Sequence, residues 1–146
     1  MLDFFRTQSP QYQASEILSK DNQVVLHSKV SIVTNAKDVE TAINALYFGL
    51  VPMLYAEQSV ALNGTLVFLK GKVFIQAAHE FYSNQVSYPN DGMLTEFRGQ
   101  YFSELPHRYK RKLLEAEIPV TYLVCSSAND GKVDSFRKLI DQLLDV

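Results

Sequence analysis

The end of the chain constrains the fold more than any other stretch. Residues 119–125 read Pro-Val-Thr-Tyr-Leu-Val-Cys, an apolar and β-branched run that is typical of a buried strand. Apolar side chains then recur at helical spacing from Val133 to Leu144. The polar residues 126–131 separate the two patterns and are typical of a turn. The sequence therefore predicts a C-terminal strand, a turn and a docked amphipathic helix.

A second helical pattern lies in the first half of the chain. Apolar residues repeat at i, i+3, i+4 and i+7 between residues 39 and 48, which predicts an amphipathic helix there. Asn35 is typical of a helix cap, and Asp38 three residues later predicts a reciprocal bond at the same end. Gly49 and Pro52 predict that the helix ends or kinks, since proline removes a backbone donor.

Two apolar runs in the middle of the chain admit two structures. Thr65–Leu69 and Lys72–Gln76 flank Lys70 and Gly71, which predicts two strands joined by a two-residue turn in which the glycine supplies a positive φ. The alternative is a strand that leads into a helix beginning near Lys72. Periodicity alone leaves both open, because short apolar runs fit strands and helices equally well.

Weaker patterns complete the expected fold. Proline, asparagine, aspartate and glycine at residues 89–92 indicate a turn inside a long irregular stretch, and loops of that length in compact domains are often functional. The fold class expected is α+β or α/β, a single domain over residues 1–146 with one mixed sheet covered by two or more amphipathic helices. The further elements predicted are a helix over Tyr12–Leu18, a strand over Gln23–Thr34, irregular structure over Ser83–Gly99, a helix over Pro106–Ala116 and a strand over Val120–Cys125.

Composition limits the class of partner. The chain has 146 residues, 47% hydrophobic and 21% charged, which is typical of a domain that folds throughout. A net charge of −2 provides no general attraction to nucleic acid or to an anionic membrane. Cys125 is the single cysteine, so an internal disulfide is excluded and a reducing compartment, the cytoplasm, is expected. The N-terminus lacks the pattern of a secretory signal, and no apolar stretch has the length of a membrane span.

The motifs of common enzymes and cofactor sites are missing from the sequence. Gly71 and Lys72 follow an apolar run as in a phosphate-binding loop, but Gly64 lies seven residues before Gly71 where that motif needs five. Val73 also stands where the motif has serine or threonine. The three histidines are far apart in sequence, so neither a metal site nor a cysteine–histidine pair is indicated. We therefore expect no cofactor and no metal, and we favour a role other than catalysis.

One candidate anion site combines two turns. Ser126 and Ser127 lie where the C-terminal strand meets its helix, and hydroxyls and helix-start amides at such a place can receive an anion. Lys72 is the third candidate contact. These residues suggest an alternative function, the binding of a nucleotide or another phosphate ligand. A capped helix start without a ligand explains the same residues.

A cluster of cations gives another alternative. Basic side chains with aromatic neighbours can hold phosphates and stack on bases, which would suit nucleic acid. The apolar stripe of the same predicted helix places these charges outward, where they would also serve as a solvated face. The residues concerned are Arg108, Lys110, Arg111 and Lys112.

The aromatic residues between 81 and 102 provide the leading hypothesis. Aromatic side chains dominate both interfaces and cores. We take four of them as a candidate interface, and we expect a small non-enzymatic adaptor, regulatory or chaperone-like domain that binds a partner protein or a second copy of itself. The candidate interface residues are Tyr88, Phe97, Tyr101 and Phe102.

Overall fold

The fold is built on a mixed β-sheet. The computed structural model describes residues 5–8, 11–18, 25–26, 32–59 and 65–125, together with Lys138. Within these ranges the strands are β1 (Phe5–Gln8), β2 (Gln11–Gln13), β3 (Val25–Leu26), β4 (Leu54–Ser59), β5 (Thr65–Lys70) and β6 (Glu117–Cys125). Their order is β1-β6-β4-β5-β3, and β2 also pairs with β6.

Parallel and antiparallel pairs alternate across the sheet. β6 runs parallel to β4, β4 antiparallel to β5, and β5 parallel to β3. β1 and β2 both run antiparallel to β6, with Gln8 opposite Tyr122 and Gln11 opposite Pro119. β1 and β2 therefore pair with β6 in the same register.

Four α-helices accompany the sheet among the described residues. Their buried side chains form one cluster with alternate residues of the strands, including Leu54 and Ala56 on β4 and Ile118 and Val120 on β6. This alternation is expected, since successive side chains of a strand point to opposite faces. The helices therefore cover one face of the sheet in a mixed α+β domain. They are α1 (Ala14–Leu18), α2 (Ala36–Phe48), α3 (Lys72–Tyr82) and α4 (His107–Glu115).

Helix α2 confirms the prediction made from its apolar spacing and its caps. Asn35 Oδ1 accepts from the Asp38 backbone N–H at 2.9 Å, and Asp38 Oδ2 accepts from the Asn35 N–H at 2.9 Å. Gly49 ends the helix with φ of 71°, a left-handed conformation that favours glycine. Local signals alone therefore define both ends of this helix.

The hairpin predicted around Gly71 is wrong, and the alternative of a strand leading into a helix is confirmed. Gly71 does have a positive φ of 80°, but it is the residue before the first turn of α3. The buried side chains Ile75, Ala78 and Tyr82 lie on one side of that helix. The apolar spacing that continues beyond Gln76 was the signal for the helix.

Three further predictions need correction or restriction. The first helix begins at Ala14, because Tyr12 belongs to β2 and pairs with Ile118. The strand expected over Gln23–Thr34 is confirmed only at Val25–Leu26, since 32–35 have no regular structure and 27–31 lie outside the described residues. The turn at 126–131 and the C-terminal helix fall outside the described residues too, apart from Lys138.

The later elements follow the sequence closely. The helix predicted over Pro106–Ala116 is α4, and the predicted C-terminal strand is the end of β6, which starts earlier at Glu117. Residues 83–101 are irregular except for one 3-10 turn at Thr95–Phe97. The expected turn is closed by the Gly92 N–H, which donates to the Pro89 carbonyl at 3.2 Å.

Candidate functional site

A cleft opens where β5 passes into α3. It has a volume of about 720 Å³ and is lined by Ile32, residues 52–55 and residues 70–74. The lining thus comes from three separate segments: the approach to α2, the connection from α2 to β4, and the junction of β5 with α3. Most of these side chains are apolar, as is usual for sites that bind ligands.

Gly71 sets the shape of the cleft. A Cβ atom at this position would overlap Leu54 Cδ2, and Leu54 is fully buried. The absent side chain lets the start of α3 lie directly against the start of β4. Its φ of 80° also turns the chain sharply from strand to helix. The sequence prediction of a special glycine at this position was right, although the turn it forms is a different one.

Among the described residues that line the cleft, the charged ones are two lysines. Lys70 ends β5 and Lys72 begins α3, so the two lysines flank Gly71, and each interacts with another group of the protein. Gly71 provides no side-chain cap for the first amides of α3.

Exposed apolar residues occur in the lining of the cleft and close to it in sequence. Met53 and Val73 line the cleft and are 44% and 45% exposed. Val33 directly follows the lining residue Ile32 and is 86% exposed, and Leu50 is 75% exposed. Leu50 stands two residues before the cleft lining begins at Pro52, a chain separation of at most about 7 Å. We call Val33, Leu50, Met53 and Val73 the apolar rim.

The candidate interface of aromatic residues is only partly accessible. Tyr88 and Phe97 are fully buried, so neither side chain is exposed for a partner to contact. The Tyr88 hydroxyl donates to Asn44 Oδ1 at 2.7 Å and accepts from the Leu94 N–H at 3.1 Å. Burial raises the pKa of Tyr88, which keeps the hydroxyl protonated and able to donate. Tyr88 and Phe97 therefore belong to the hydrophobic core, where their large side chains fill the space beneath the irregular stretch.

The other two residues of that set differ in their surroundings. Phe102 is half-buried and stacks on Tyr82 with ring centroids 4.9 Å apart. Tyr101 is exposed. The four aromatics therefore do not form one exposed surface.

The basic face on α4 is largely engaged with its own chain. The Arg108 guanidinium lies over the Tyr109 ring at 4.7 Å, and Lys112 Nζ lies over the Tyr47 ring at 4.1 Å. Arg111 forms an ion pair with Glu115 at 3.1 Å. Hydrogen bonding to the Tyr109 hydroxyl raises the pKa of Arg108 further. A second, smaller hollow of about 360 Å³ lies beside Lys110 and Arg111.

A serine and a histidine at the end of α3 have the geometry of a cap. Ser83 Oγ lies 3.3 Å from His79 Nε2, but its hydroxyl donates to the His79 carbonyl at 2.6 Å. The imidazole would then have to donate to the serine, the reverse of what a general base does for a nucleophile. Within the described ranges, His79 Nδ1 is buried and has no hydrogen-bond partner, so nothing orients the ring for catalysis either.

The remaining candidates are the three residues of the predicted anion site. Ser126 and Ser127 lie outside the described residues, while Lys72 lines the cleft. The rest of the cleft was missed from the sequence, although one signal was present. Residues 50–54 read Leu-Val-Pro-Met-Leu directly after a helix stop, an apolar run where a connection is normally polar.

Metal-ligand groups, membrane-spanning helices and comparisons with known proteins place few constraints on the function. In the part of the chain that the structure describes, no group of three or more histidine, cysteine, aspartate or glutamate side chains could hold a metal ion. No helix in the same part has the length and apolar character needed to cross a membrane. Comparison with protein-family models, with curated proteins and with solved structures finds no match to this chain.

Proposed function

We propose that this chain is a non-enzymatic protein-interaction domain that binds a segment of a partner protein in the cleft and on its apolar rim. The observation that carries the proposal is the concentration of exposed apolar side chains around one concave site. Among the described residues, seven large hydrophobic side chains are exposed, and four of them belong to this rim. Exposed apolar side chains gathered near one concave site are typical of interaction surfaces.

The extent of the rim favours a macromolecule over a small ligand. A small molecule inside the cleft would leave Val33 and Leu50 in water, whereas a polypeptide segment would cover them. Burying each such side chain is worth about 1.5–3 kcal/mol before the cost of association. Met53 suits this role, since a flexible thioether adapts to irregular partner surfaces.

Two other functions have weaker support than protein binding. A nucleotide or another anionic ligand is the second candidate, because the cleft volume lies in the range of about 300–1,000 Å³ for ligand sites and Lys72 lines it. Nucleic-acid binding through α4 is less favoured, since Arg108, Arg111 and Lys112 already have partners in the chain. We place the domain in the cytoplasm, with a partner protein preferred over self-association.

Peptide selection tests the proposal. A random dodecapeptide library displayed on phage would be panned on the purified chain, and enriched peptides would be resynthesised and titrated. Val73→Asp places a carboxylate in the apolar rim and should weaken binding at least about tenfold. The variant should fold, because an acidic residue in the first turn of α3 is favourable.

Met93→Asp is the matched control, since Met93 is 63% exposed but does not line the cleft. It should bind the peptides like the unaltered chain. Equal binding by the Val73→Asp variant and the unaltered chain would contradict the proposal.

A further inference from the structure

We infer that a hydrogen bond between Thr34 and Glu80 positions one wall of the cleft, so that binding of a partner segment depends on two residues outside the cleft lining. The inference rests on the proposed function and concerns how that site keeps its shape. Thr34 Oγ1 donates to Glu80 Oε1, and the bond joins positions that are 46 residues apart. Neither residue lines the cleft.

Two residues of the proposed site lie directly before Thr34. Ile32 lines the cleft, and Val33 belongs to the apolar rim and is 86% exposed. Residues 32–35 have no regular secondary structure, so no helix or strand ladder fixes their backbone. The position of these two apolar side chains therefore depends on what holds this short segment.

One end of the segment is fixed at the start of α2. Asn35 and Asp38 form the reciprocal cap of that helix, and both of its hydrogen bonds are 2.9 Å long. Among the hydrogen bonds between described residues, the one that fastens the segment to α3 is the bond from Thr34 to Glu80. That bond is therefore the contact that decides where the segment lies against α3.

The segment runs alongside α3. Phe74 lines the cleft together with Ile32, and Glu80 follows Phe74 by six residues, about 9 Å along the helix axis. The Cα atoms of Ile32 and Thr34 are at most about 7 Å apart. The segment therefore extends from the cleft along α3, and the bond at Thr34 holds the end that lies away from the cleft.

The Glu80 carboxylate is itself held in place. Its Oε2 accepts from Gln76 Nε2 at 2.9 Å, one helical turn earlier, while its Oε1 accepts from Thr34. All three side chains belong to half-buried residues, where a hydrogen bond to a carboxylate is stronger than in water. A site that is ordered before its partner arrives binds more tightly, because less ordering is left for binding to supply. Thr34 and Glu80 are thus positioning residues of the proposed site.

Removal of one hydroxyl tests the inference. Thr34→Val keeps the branched shape of the side chain without its hydrogen bond, whereas Thr34→Ser keeps the hydroxyl. Thr41→Val is the matched control, because Thr41 is an exposed residue of α2 that does not line the cleft. The probes are the peptides enriched on the unaltered chain, titrated by fluorescence polarisation at a temperature where circular dichroism shows each variant folded.

A second variant tests the bond from the other side. Glu80→Ala removes the acceptor, and a helix tolerates alanine well. Thr34→Val and Glu80→Ala each weaken peptide binding at least about fivefold, while Thr34→Ser and Thr41→Val bind within about twofold of the unaltered chain. The two losses are less than additive in the double variant, since both changes remove the same bond. The ¹⁵N order parameters of Ile32 and Val33 in the peptide-free chain fall in Thr34→Val and recover in Thr34→Ser.

The failures of the two proposals are distinguishable. Unchanged peptide binding by Thr34→Val and Glu80→Ala, with binding lost in Val73→Asp, would overturn the positioning role and leave the docking site intact. Binding by Thr34→Ser as weak as by Thr34→Val would overturn the hydroxyl as the cause. Peptides that bind the Val73→Asp variant normally would overturn the docking site itself.

Discussion

The Tyr88 hydroxyl donates to Asn44 Oδ1 at 2.7 Å and so joins two residues that are 44 positions apart. The same oxygen accepts from the Leu94 N–H at 3.1 Å. A few residues away, the Met93 N–H donates to Glu40 Oε2 at 3.0 Å, and this bond holds the pKa of Glu40 below its usual range. The irregular stretch 83–101 is therefore fastened to α2 and forms part of the folded core.

Removing the Tyr88 hydroxyl should destabilise the fold. Tyr88→Phe leaves the Asn44 side-chain oxygen and the buried Leu94 N–H without this partner, at a cost of about 1–3 kcal/mol in the free energy of unfolding. Urea denaturation followed by circular dichroism measures the loss. In a double-mutant cycle with Asn44→Ala, the two changes should be less than additive, since they remove the same hydrogen bond. Full additivity would contradict the role assigned to this bond.

Gly92 should not tolerate a side chain, for a steric reason. Its φ lies outside the left-handed region, but a Cβ atom would overlap the Tyr88 ring. Gly92→Ala should lower the free energy of unfolding by about 1–3 kcal/mol, because the packed ring cannot move without cost. In the Tyr88→Leu background the same change should cost less. An equal cost in both backgrounds would show that the ring is not the obstacle.

Stability should decline in alkaline solution through Tyr82. This side chain is buried, its hydroxyl donates to the Leu113 carbonyl at 2.6 Å, and burial raises its pKa above the ordinary value. Above about pH 10, Tyr82 loses its proton in the unfolded chain but keeps it in the folded chain. The free energy of unfolding therefore falls by up to about 1.4 kcal/mol per pH unit. Below that pH this contribution is fully present.

Tyr82→Phe provides the check on that assignment. It removes the capping bond to α4, so it should lower the free energy of unfolding at neutral pH by about 1 kcal/mol. It should also reduce the slope of stability against pH above about pH 10. Thermal unfolding at a series of pH values measures both effects, and an unchanged alkaline slope would count against Tyr82 as the source.

The cap of α2 should be worth a measurable part of the stability. Asn35→Ala removes the acceptor for the Asp38 N–H and should cost about 0.5–2 kcal/mol, as measured by urea denaturation. Asn35→Asp, which keeps an acceptor oxygen, should retain most of that stability. A loss as large in Asn35→Asp as in Asn35→Ala would show that the side-chain oxygen is not what matters.

The sequence predicted those elements whose signals are local. The cap at Asn35 and the stop at Gly49 define α2 within a few residues of chain, and that helix was predicted correctly. The hairpin error at Gly71 arose because a strand and a helix share the same apolar residues over the first turn. The apolar spacing of later residues, as far as Tyr82, distinguishes the two, but that spacing favours the helix only if those residues pack against other elements.

The candidate site was harder to predict for a related reason. Tyr88 can be buried because its hydroxyl donates to Asn44 Oδ1, a partner 44 residues away that no pattern near residue 88 reveals. The cleft assembles Ile32, residues 52–55 and residues 70–74, which are separated in sequence and meet only in the folded sheet. The sequence predicts Lys72 as an anion contact, which stays a prediction, and it does not predict the apolar rim beside it.

The central claim is that the cleft and its apolar rim are where a partner binds, and amide chemical shifts test it most directly. The ¹⁵N-labelled chain would be titrated with the peptide that phage selection enriches most. We predict that the largest shift changes fall on residues 53–55 and 70–74. Changes concentrated instead on the basic face at 108–112, or around Tyr101 and Phe102, would contradict the claim.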